Sequence, residues 1–217
     1  MTAGRRSHLV RPIRCAYTGL IMQTKQATPL PRNPELADLA RRVVAARPRA
    51  SRLLLGLTRE QANWQPAPGS WSAAQCLHHL VITGQRMVPR LAWGIARARQ
   101  KGWLAEGPFR YGWLGNWFVR KVVDVSSPPR RRFSAPRAFA PTEDHDPSDL
   151  LQDFLLLQDH WQGLLEKADG VDLARVRITS AASRLVRLQL GQWFALLVGH
   201  QERHLGQAER AREKLGF

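Results

Sequence analysis

Four long segments of the chain carry apolar residues at the spacing of an amphipathic helix, and one long irregular stretch separates the second from the third. The predicted helices cover residues 35–57, 72–100, 147–167 and 190–214. Helices of this length bury their apolar stripes by packing side by side around one core. The pattern therefore predicts an all-α fold, a four-helix bundle with a long crossover connection between its second and third helices.

Capping signals indicate where three of these helices begin. Asn33-Pro34 and Asp146-Pro147 each place a capping side chain before a proline at the first helical position. Ser72 and Gln75 have the spacing of a capping box, in which each side chain accepts a backbone N–H at the helix start. These signals support the helical assignment independently of the apolar pattern.

Other features interrupt the pattern. Pro48 and Pro89 lie inside the first and second predicted helices, where we expect a break or a kink. The stretch 101–141 is rich in glycine, proline and aromatic residues, and we expect it to pack on the bundle as a lid or crossover with a short helix within 115–125. Residues 173–188 fit no single pattern.

The chain is strongly basic, with 33 Lys and Arg against 17 Asp and Glu and a formal charge of +16. The densest cluster is Arg130-Arg131-Arg132, and no aromatic residues interleave with it in the pattern that stacks on bases. We therefore expect solvated surface arginines. A nucleic-acid-binding protein, which would bind DNA with a steep salt dependence, is the least favoured alternative.

The bulk properties favour one cytoplasmic domain. Residues 1–32 contain no acidic residue and no periodicity, so we expect a disordered basic leader, or an extended start with Met22 as the true initiator, followed by a domain over 33–217. No apolar run is long enough to predict a membrane span. Cys15 and Cys76 provide no disulfide framework.

Two histidines, His200 and His204, lie four residues apart in the last predicted helix. Side chains at this spacing project from one face, so the pair can bind one metal ion if a third ligand comes from a facing helix. Metalloproteases of the His-Glu-x-x-His type carry their glutamate where this chain has Gln201, and Glu202 is expected to point away from the pair. The pattern therefore does not favour a peptidase.

The third ligand has several candidates. The remaining histidines are His8, His78, His79, His145 and His160. His78 and His79 lie on the second predicted helix, where adjacent residues differ by about 100° in direction, so normally only one of them faces a given site. The broad apolar pattern of that helix does not choose between the two.

Three motifs in order resemble those of the DinB-like superfamily. They are Asn63-Trp64-x-Pro66, Trp71-Ser72-x-x-Gln75-x-Leu77-x-His79-Leu80 and His200-x-x-x-His204-Leu205-x-Gln207, where the family usually has a glutamate in place of Gln75. The resemblance covers about residues 34–214 of the chain. It implies a four-helix bundle, often a homodimer, in which His79, His200 and His204 hold a divalent metal, zinc or nickel.

The resemblance also implies a chemistry. Some members of the family are S-transferases that use low-molecular-weight thiols, and others are regarded as metal-dependent hydrolases. Three neutral imidazoles leave a tetrahedral ion one open position, where water or a thiol would be activated against a small-molecule electrophile. The alternative is a non-catalytic bundle that binds a small molecule or a protein through the aromatic stretch 103–118.

Overall fold

The computed structural model describes residues 29–123 and 135–216. Its helices are α1 (Pro34–Leu54), α2 (Arg59–Asn63), α3 (Ala73–Gln100), α4 (Trp113–Val123), α5 (Pro147–Ala168) and α6 (Leu190–Glu213), and a hairpin pairs β1 (Arg177–Thr179) with β2 (Arg187–Gln189) in antiparallel register. The four long helices form the predicted four-helix bundle. Most of the predicted leader and the arginine cluster 130–132 lie outside the described residues, so the domain boundary at residue 33 stays a prediction.

The capping signals are confirmed. The side chain of Asn33 accepts the backbone N–H groups of Glu35 and Leu36 at 3.0 and 3.2 Å, which starts α1. Ser72 and Gln75 make both bonds of the capping box at 3.0 Å, which starts α3.

Neither proline breaks its helix, so the break considered at Pro48 does not occur, while a bend at Pro48 and a kink at Pro89 stay predictions. α1 continues through Pro48 and α3 continues through Pro89. Each proline leaves one carbonyl without its helical N–H, that of Val44 or Gln85 four residues earlier. All four residues are exposed, so water can bind the freed carbonyls and the helices stay continuous.

Two ion pairs show that α1 and α6 run side by side in the same direction. The guanidinium of Arg42 donates to both carboxylate oxygens of Glu202 at 2.8 Å, and that of Arg49 donates to both oxygens of Glu209 at 2.9 Å. The partners are 160 residues apart in both pairs, so two turns along α1 match two turns along α6. Because the pairs are partly exposed, they set the register of these helices more than their stability.

α3 and α5 also share a direction, which is opposite to that of α1 and α6. Gly84 of α3 faces Leu157 of α5, and farther along both helices Arg99 donates to the carbonyl of Asp169 at 2.8 Å. The carboxylate of Asp169 in turn accepts the N–H of Asn33 at 3.1 Å, so the end of α5 meets the start of α1. In chain order the long helices therefore run up, down, down and up.

The core of the bundle consists of two apolar clusters stacked along its axis. Buried members of the first include Leu36, Leu91, Leu165 and Phe194, and those of the second include Leu54, Leu77, Phe154 and Leu205. The buried polar side chains Thr83, Gln158 and Gln201 lie where the two clusters meet. We call this level the polar layer.

The crossover follows from the directions of α3 and α5. Because both run down, the chain between them must return along the whole bundle, and α4 makes part of that return against α6. The N–H of Gly112 donates to Gln189 at 2.7 Å, and the amide of Gln192 donates to the carbonyl of Gly112 at 2.9 Å. The hydroxyl of Tyr111 donates to the carboxylate of Glu35 on α1 at 2.8 Å.

The two irregular segments are thus assigned. α4 is the short helix expected within 115–125, shifted by two residues. Residues 173–188 hold β1 and most of β2, whose three-residue lengths are too short to show strand alternation in the sequence.

A substitution at Gly191 can test how closely Tyr111 of the crossover packs against α6. A Cβ at Gly191 would overlap the ring and hydroxyl of Tyr111, so Gly191→Ala must displace this ring from Glu35. We expect the free energy of unfolding in urea to fall by about 1–3 kcal/mol, the usual cost of overpacking.

Gly163 provides the matched control. It lies within α5 with nothing within 4 Å of an added Cβ. Gly163→Ala should raise stability by about 0.5–1 kcal/mol, because alanine favours helix more than glycine does. Equal effects of the two substitutions would contradict the packing described for Tyr111.

Candidate metal centre

Three histidine rings meet beside the polar layer, between α3 and α6. The Nε2 atom of His200 lies 3.3 Å from Nε2 of His79 and 3.1 Å from Nε2 of His204. One ring nitrogen of each residue lies within 4.8 Å of the other two. One helical turn brings His200 and His204 together, whereas His79 comes from a helix more than a hundred residues away in the chain.

Two of the three separations between these nitrogens are close to those of metal ligands. Nitrogen ligands about 2.0–2.1 Å from a tetrahedral zinc ion lie roughly 3.3–3.4 Å from each other. The measured separations of 3.3 and 3.1 Å are close to that value. Two imidazoles that share a hydrogen bond also lie at about this distance. The positions of the protons therefore decide between hydrogen bonding within the cluster and binding of a metal ion.

Hydrogen bonds place the proton on Nδ1 in two of the rings. Nδ1 of His79 lies 2.6 Å from the carbonyl oxygen of Phe139, which can only accept. Nδ1 of His204 lies 3.1 Å from Oε1 of Gln207 and donates to it. Nε2 of each of these two rings is therefore unprotonated and carries a lone pair, and Nε2 of His200 has at most one N–H to share between them. A cation where the three atoms meet would satisfy all three.

Burial keeps the three imidazoles neutral. Loss of hydration is the main cause that lowers the pKa of His79 below its usual 6.5, that of His204 to about 3, and that of His200 well below 6.5. The positive charge of Arg203 lowers the pKa of His200 and His204 further. Neutral imidazole is the form that binds a metal ion.

Trp71 shields the cluster. Its ring centroid lies 4.9 Å from that of His79 and 5.5 Å from that of His204. His79 is 4% and His204 9% exposed, so two of the rings are nearly closed off from solvent. The indole therefore packs against both of these rings.

The other histidines lie elsewhere. The ring of His78 accepts the N–H of Thr142 at 3.1 Å and lies 3.9 Å from the ring of His145. His160 is exposed on α5, and His8 lies outside the described residues. The structure therefore brings His79 to the pair and not His78, a choice that the helix pattern had left open.

Among the described residues, the group that could hold an ion contains no carboxylate and no cysteine. Glu202 points away from the pair, as expected, because Arg42 binds it on the α1 side. Gln201 faces the core and accepts a hydrogen bond from Gln158 at 2.9 Å. The site thus has three imidazoles and no adjacent acid.

Two residues that hydrogen-bond to the cluster were not predicted from the sequence to do so. Phe139 contributes only its carbonyl, which any residue could supply, from a 3-10 turn over Arg137–Phe139. Gln207 belongs to the last motif, but its bond to His204 became evident only from the structure. Main-chain acceptors from distant loops leave no mark on residue identity.

Comparison with known proteins agrees with this architecture. A family model described as the DinB superfamily matches residues 42–208. The solved structure of YfiT from Bacillus subtilis, described as "a probable metal-dependent hydrolase with an unusual four-helix bundle topology", is similar with a TM-score of 0.56 and 14% sequence identity. The match covers 91% of this chain and 96% of that one. No curated protein matches the sequence.

Among residues 29–123 and 135–216, no helix is both long enough and apolar enough to cross a bilayer.

The neutral histidines predict how the metal-free protein responds to acid. Their pKa values are lower in the folded than in the unfolded chain, so below pH 6.5 the unfolded chain binds more protons and the free energy of unfolding falls with the pH. Between pH 7.5 and 5.5 we expect a loss of about 1 kcal/mol for each such histidine. Urea unfolding of chelator-treated protein at the two pH values measures it.

One variant assigns the effect. His204→Gln should remove about one histidine's share of the pH dependence, because it removes one buried imidazole. A pH dependence that persists in full in His204→Gln would contradict the burial of a neutral imidazole at that position.

Proposed function

The chain belongs to the DinB superfamily, and we propose that it is a divalent-metal-dependent enzyme whose centre is formed by His79, His200 and His204. The observation that carries the proposal is the meeting of three neutral imidazoles with two lone pairs fixed on Nε2. Two of these rings, His79 and His204, are nearly closed off from solvent, where an unpaired lone pair is unfavourable and a bound cation would provide its partner.

The residues of the site have three different roles in the proposal. His79, His200 and His204 would hold the ion, for which we propose zinc or nickel. The carbonyl of Phe139 and the side chain of Gln207 orient two of the rings, and Trp71 limits the access of water. When bound, the ion would supply Lewis-acid chemistry, lowering the pKa of a water or thiol in the remaining position.

The histidine group contains no carboxylate among the described residues, and this limits the reactions that we propose. No side-chain acid belongs to the described group that could hold the ion, so we do not propose a mechanism in which a glutamate beside the ligands acts as general base. We propose one of two classes of reaction, hydrolysis or thiol S-transfer. The description of YfiT favours hydrolysis, whereas a thiol is the less demanding nucleophile because its pKa of about 8.5 is already near neutrality.

We propose a small-molecule substrate for either reaction, and a homodimer as the assembly. A non-catalytic bundle is the competing function. It would keep the fold while using the exposed side chains of Trp113 and Trp117 on α4 to bind a partner.

Metal content tests the centre directly. Protein purified without a histidine tag should carry about one equivalent of zinc or nickel per chain. His79→Ala and His204→Ala should each weaken binding by more than about 100-fold, because they remove a ligand rather than an outer partner of one. Elemental analysis and competition with a chromogenic chelator measure both quantities.

His78→Ala is the matched control, since it removes a histidine next to His79 whose ring contacts Thr142 and His145 instead. It should retain the metal. Less than about half an equivalent of metal in the wild-type protein, unchanged in His204→Ala, would refute the centre.

Activity separates the two reaction classes. Metal-loaded protein is assayed for conjugation of low-molecular-weight thiols to monochlorobimane, and for hydrolysis of a panel of chromogenic esters and amides. We expect one of these activities to be present, to fall at least about 100-fold in His79→Ala and to survive in His78→Ala. Absence of both activities from metal-loaded protein would favour the non-catalytic bundle.

A further inference from the structure

Four buried side-chain atoms of the described residues have no hydrogen-bond partner within the protein. They are Thr83 Oγ1, Gln158 Oε1, His200 Nδ1 and Gln201 Nε2. A polar atom that is left unpaired in the interior destabilises the folded state, because its hydration is lost and not replaced. A bundle core normally contains few of them, so their position relative to one another matters.

All four belong to one level of the bundle. Thr83 lies one turn after His79 on the same face of α3, and its neighbour Gly84 faces Leu157 of α5, the residue that precedes Gln158. Gln158 donates to Gln201 at 2.9 Å, which joins α5 to α6 next to His200. The unpaired atoms are therefore gathered in the polar layer and at the histidine cluster beside it.

Reversing an amide does not remove the problem. Nε2 of Gln158 donates both to the carbonyl of Phe154 at 3.3 Å and to Oε1 of Gln201 at 2.9 Å. Exchanging N and O in Gln158 would bring its oxygen against the Phe154 carbonyl, and exchanging them in Gln201 would bring two NH₂ groups together. The orientation of both amides is thus fixed, with an acceptor on Gln158 and a donor on Gln201 left over.

Apolar residues would serve the bundle better if packing were the only requirement. Gln158 is 0% and Gln201 2% exposed, and methionine has nearly the same shape as glutamine. Replacing both partners of a buried polar pair by apolar groups of the same shape is often neutral or stabilising. Polar side chains with complementary unpaired atoms indicate a bound group that both donates and accepts hydrogen bonds.

We propose that Thr83, Gln158 and Gln201 form an interior binding site for water, and that this water is the hydrogen-bond partner of Nδ1 of His200. A buried water needs two to four polar partners, and the four unpaired atoms provide donors and acceptors for it. The role of this water rests on the proposed metal centre, because it requires that His200 be a metal ligand. His79 and His204 have protein partners on Nδ1, and the interior water gives the third ring the outer partner that metal-binding histidines have.

The three side chains are therefore positioning residues. They act through the bound water on the orientation and basicity of His200, and they touch neither the ion nor the substrate. Losing an outer partner of a ligand typically lowers metal affinity about 10- to 100-fold.

The test compares shape-conserving variants. Thr83→Val and the double variant Gln158→Met/Gln201→Met remove the polar atoms with little change in volume, and Leu165→Met in α5 makes a similar change in an apolar cluster. Zinc affinity is measured by chelator competition, and stability of the metal-free protein by urea unfolding. We expect zinc affinity to fall about 10- to 100-fold in the first two variants and to stay within about twofold in Leu165→Met, without a loss of stability in the double variant.

A second readout does not depend on the metal. Nitrogen-15 NMR of the histidine side chains in metal-free protein reports the hydrogen bonding of Nδ1 of His200. We expect this resonance to shift in Thr83→Val and in the double variant, and not in Leu165→Met.

The outcomes are distinct. Zinc affinity within twofold of wild type in both polar-layer variants, or an unshifted His200 resonance, would overturn the interior site. A fall in affinity matched by an equal fall in metal-free stability would show a packing role and also overturn it. A wild-type protein that binds no zinc or nickel refutes the proposed function instead, and the NMR result then decides the interior site alone.

Discussion

The shared direction of α3 and α5 is the constraint from which the rest of the structure follows. Two helices that are consecutive in the bundle but parallel cannot be joined by a short turn. The chain must return along the whole bundle, and it does so through α4 and the 3-10 turn that ends at Phe139. That return brings the Phe139 carbonyl to Nδ1 of His79. The topology thus supplies a partner that a simple up-and-down bundle would lack.

The polar layer divides the core at a cost in stability. Apolar clusters above and below it bury leucine and phenylalanine side chains that provide the main driving force for folding. Between them, imidazoles and amides lose hydration, and only some of their hydrogen bonds are restored within the protein. Such a layer is expected where a core also has to bind something, since a purely structural bundle gains nothing from it.

Local signals in the sequence predicted the local structure well. The caps at Asn33 and Ser72 were predicted from two or three neighbouring residues, and their hydrogen bonds are as expected. The break considered at Pro48 does not occur, because the cost of a proline in a helix depends on whether its freed carbonyl is solvated, and solvation depends on which face of the bundle the carbonyl occupies. The three-residue strands were missed because a pattern of period two needs more residues than that to appear.

The sequence by itself determined the four long helices and the one-turn pairing of His200 with His204, because these depend on spacing along a single segment, whereas the short helix α2 was not predicted. Helix spacing alone could not choose between His78 and His79, although the family resemblance implied His79. The tertiary structure brings His79 to the pair, and it alone shows that Phe139 and Trp71 contact the cluster. Adjacent residues on a helix face different directions, and only the packing of the neighbouring helices determines which direction points to the site. The same holds for Gln158 and Gln201, whose pairing depends on the register of two helices that meet through the packing of the whole core.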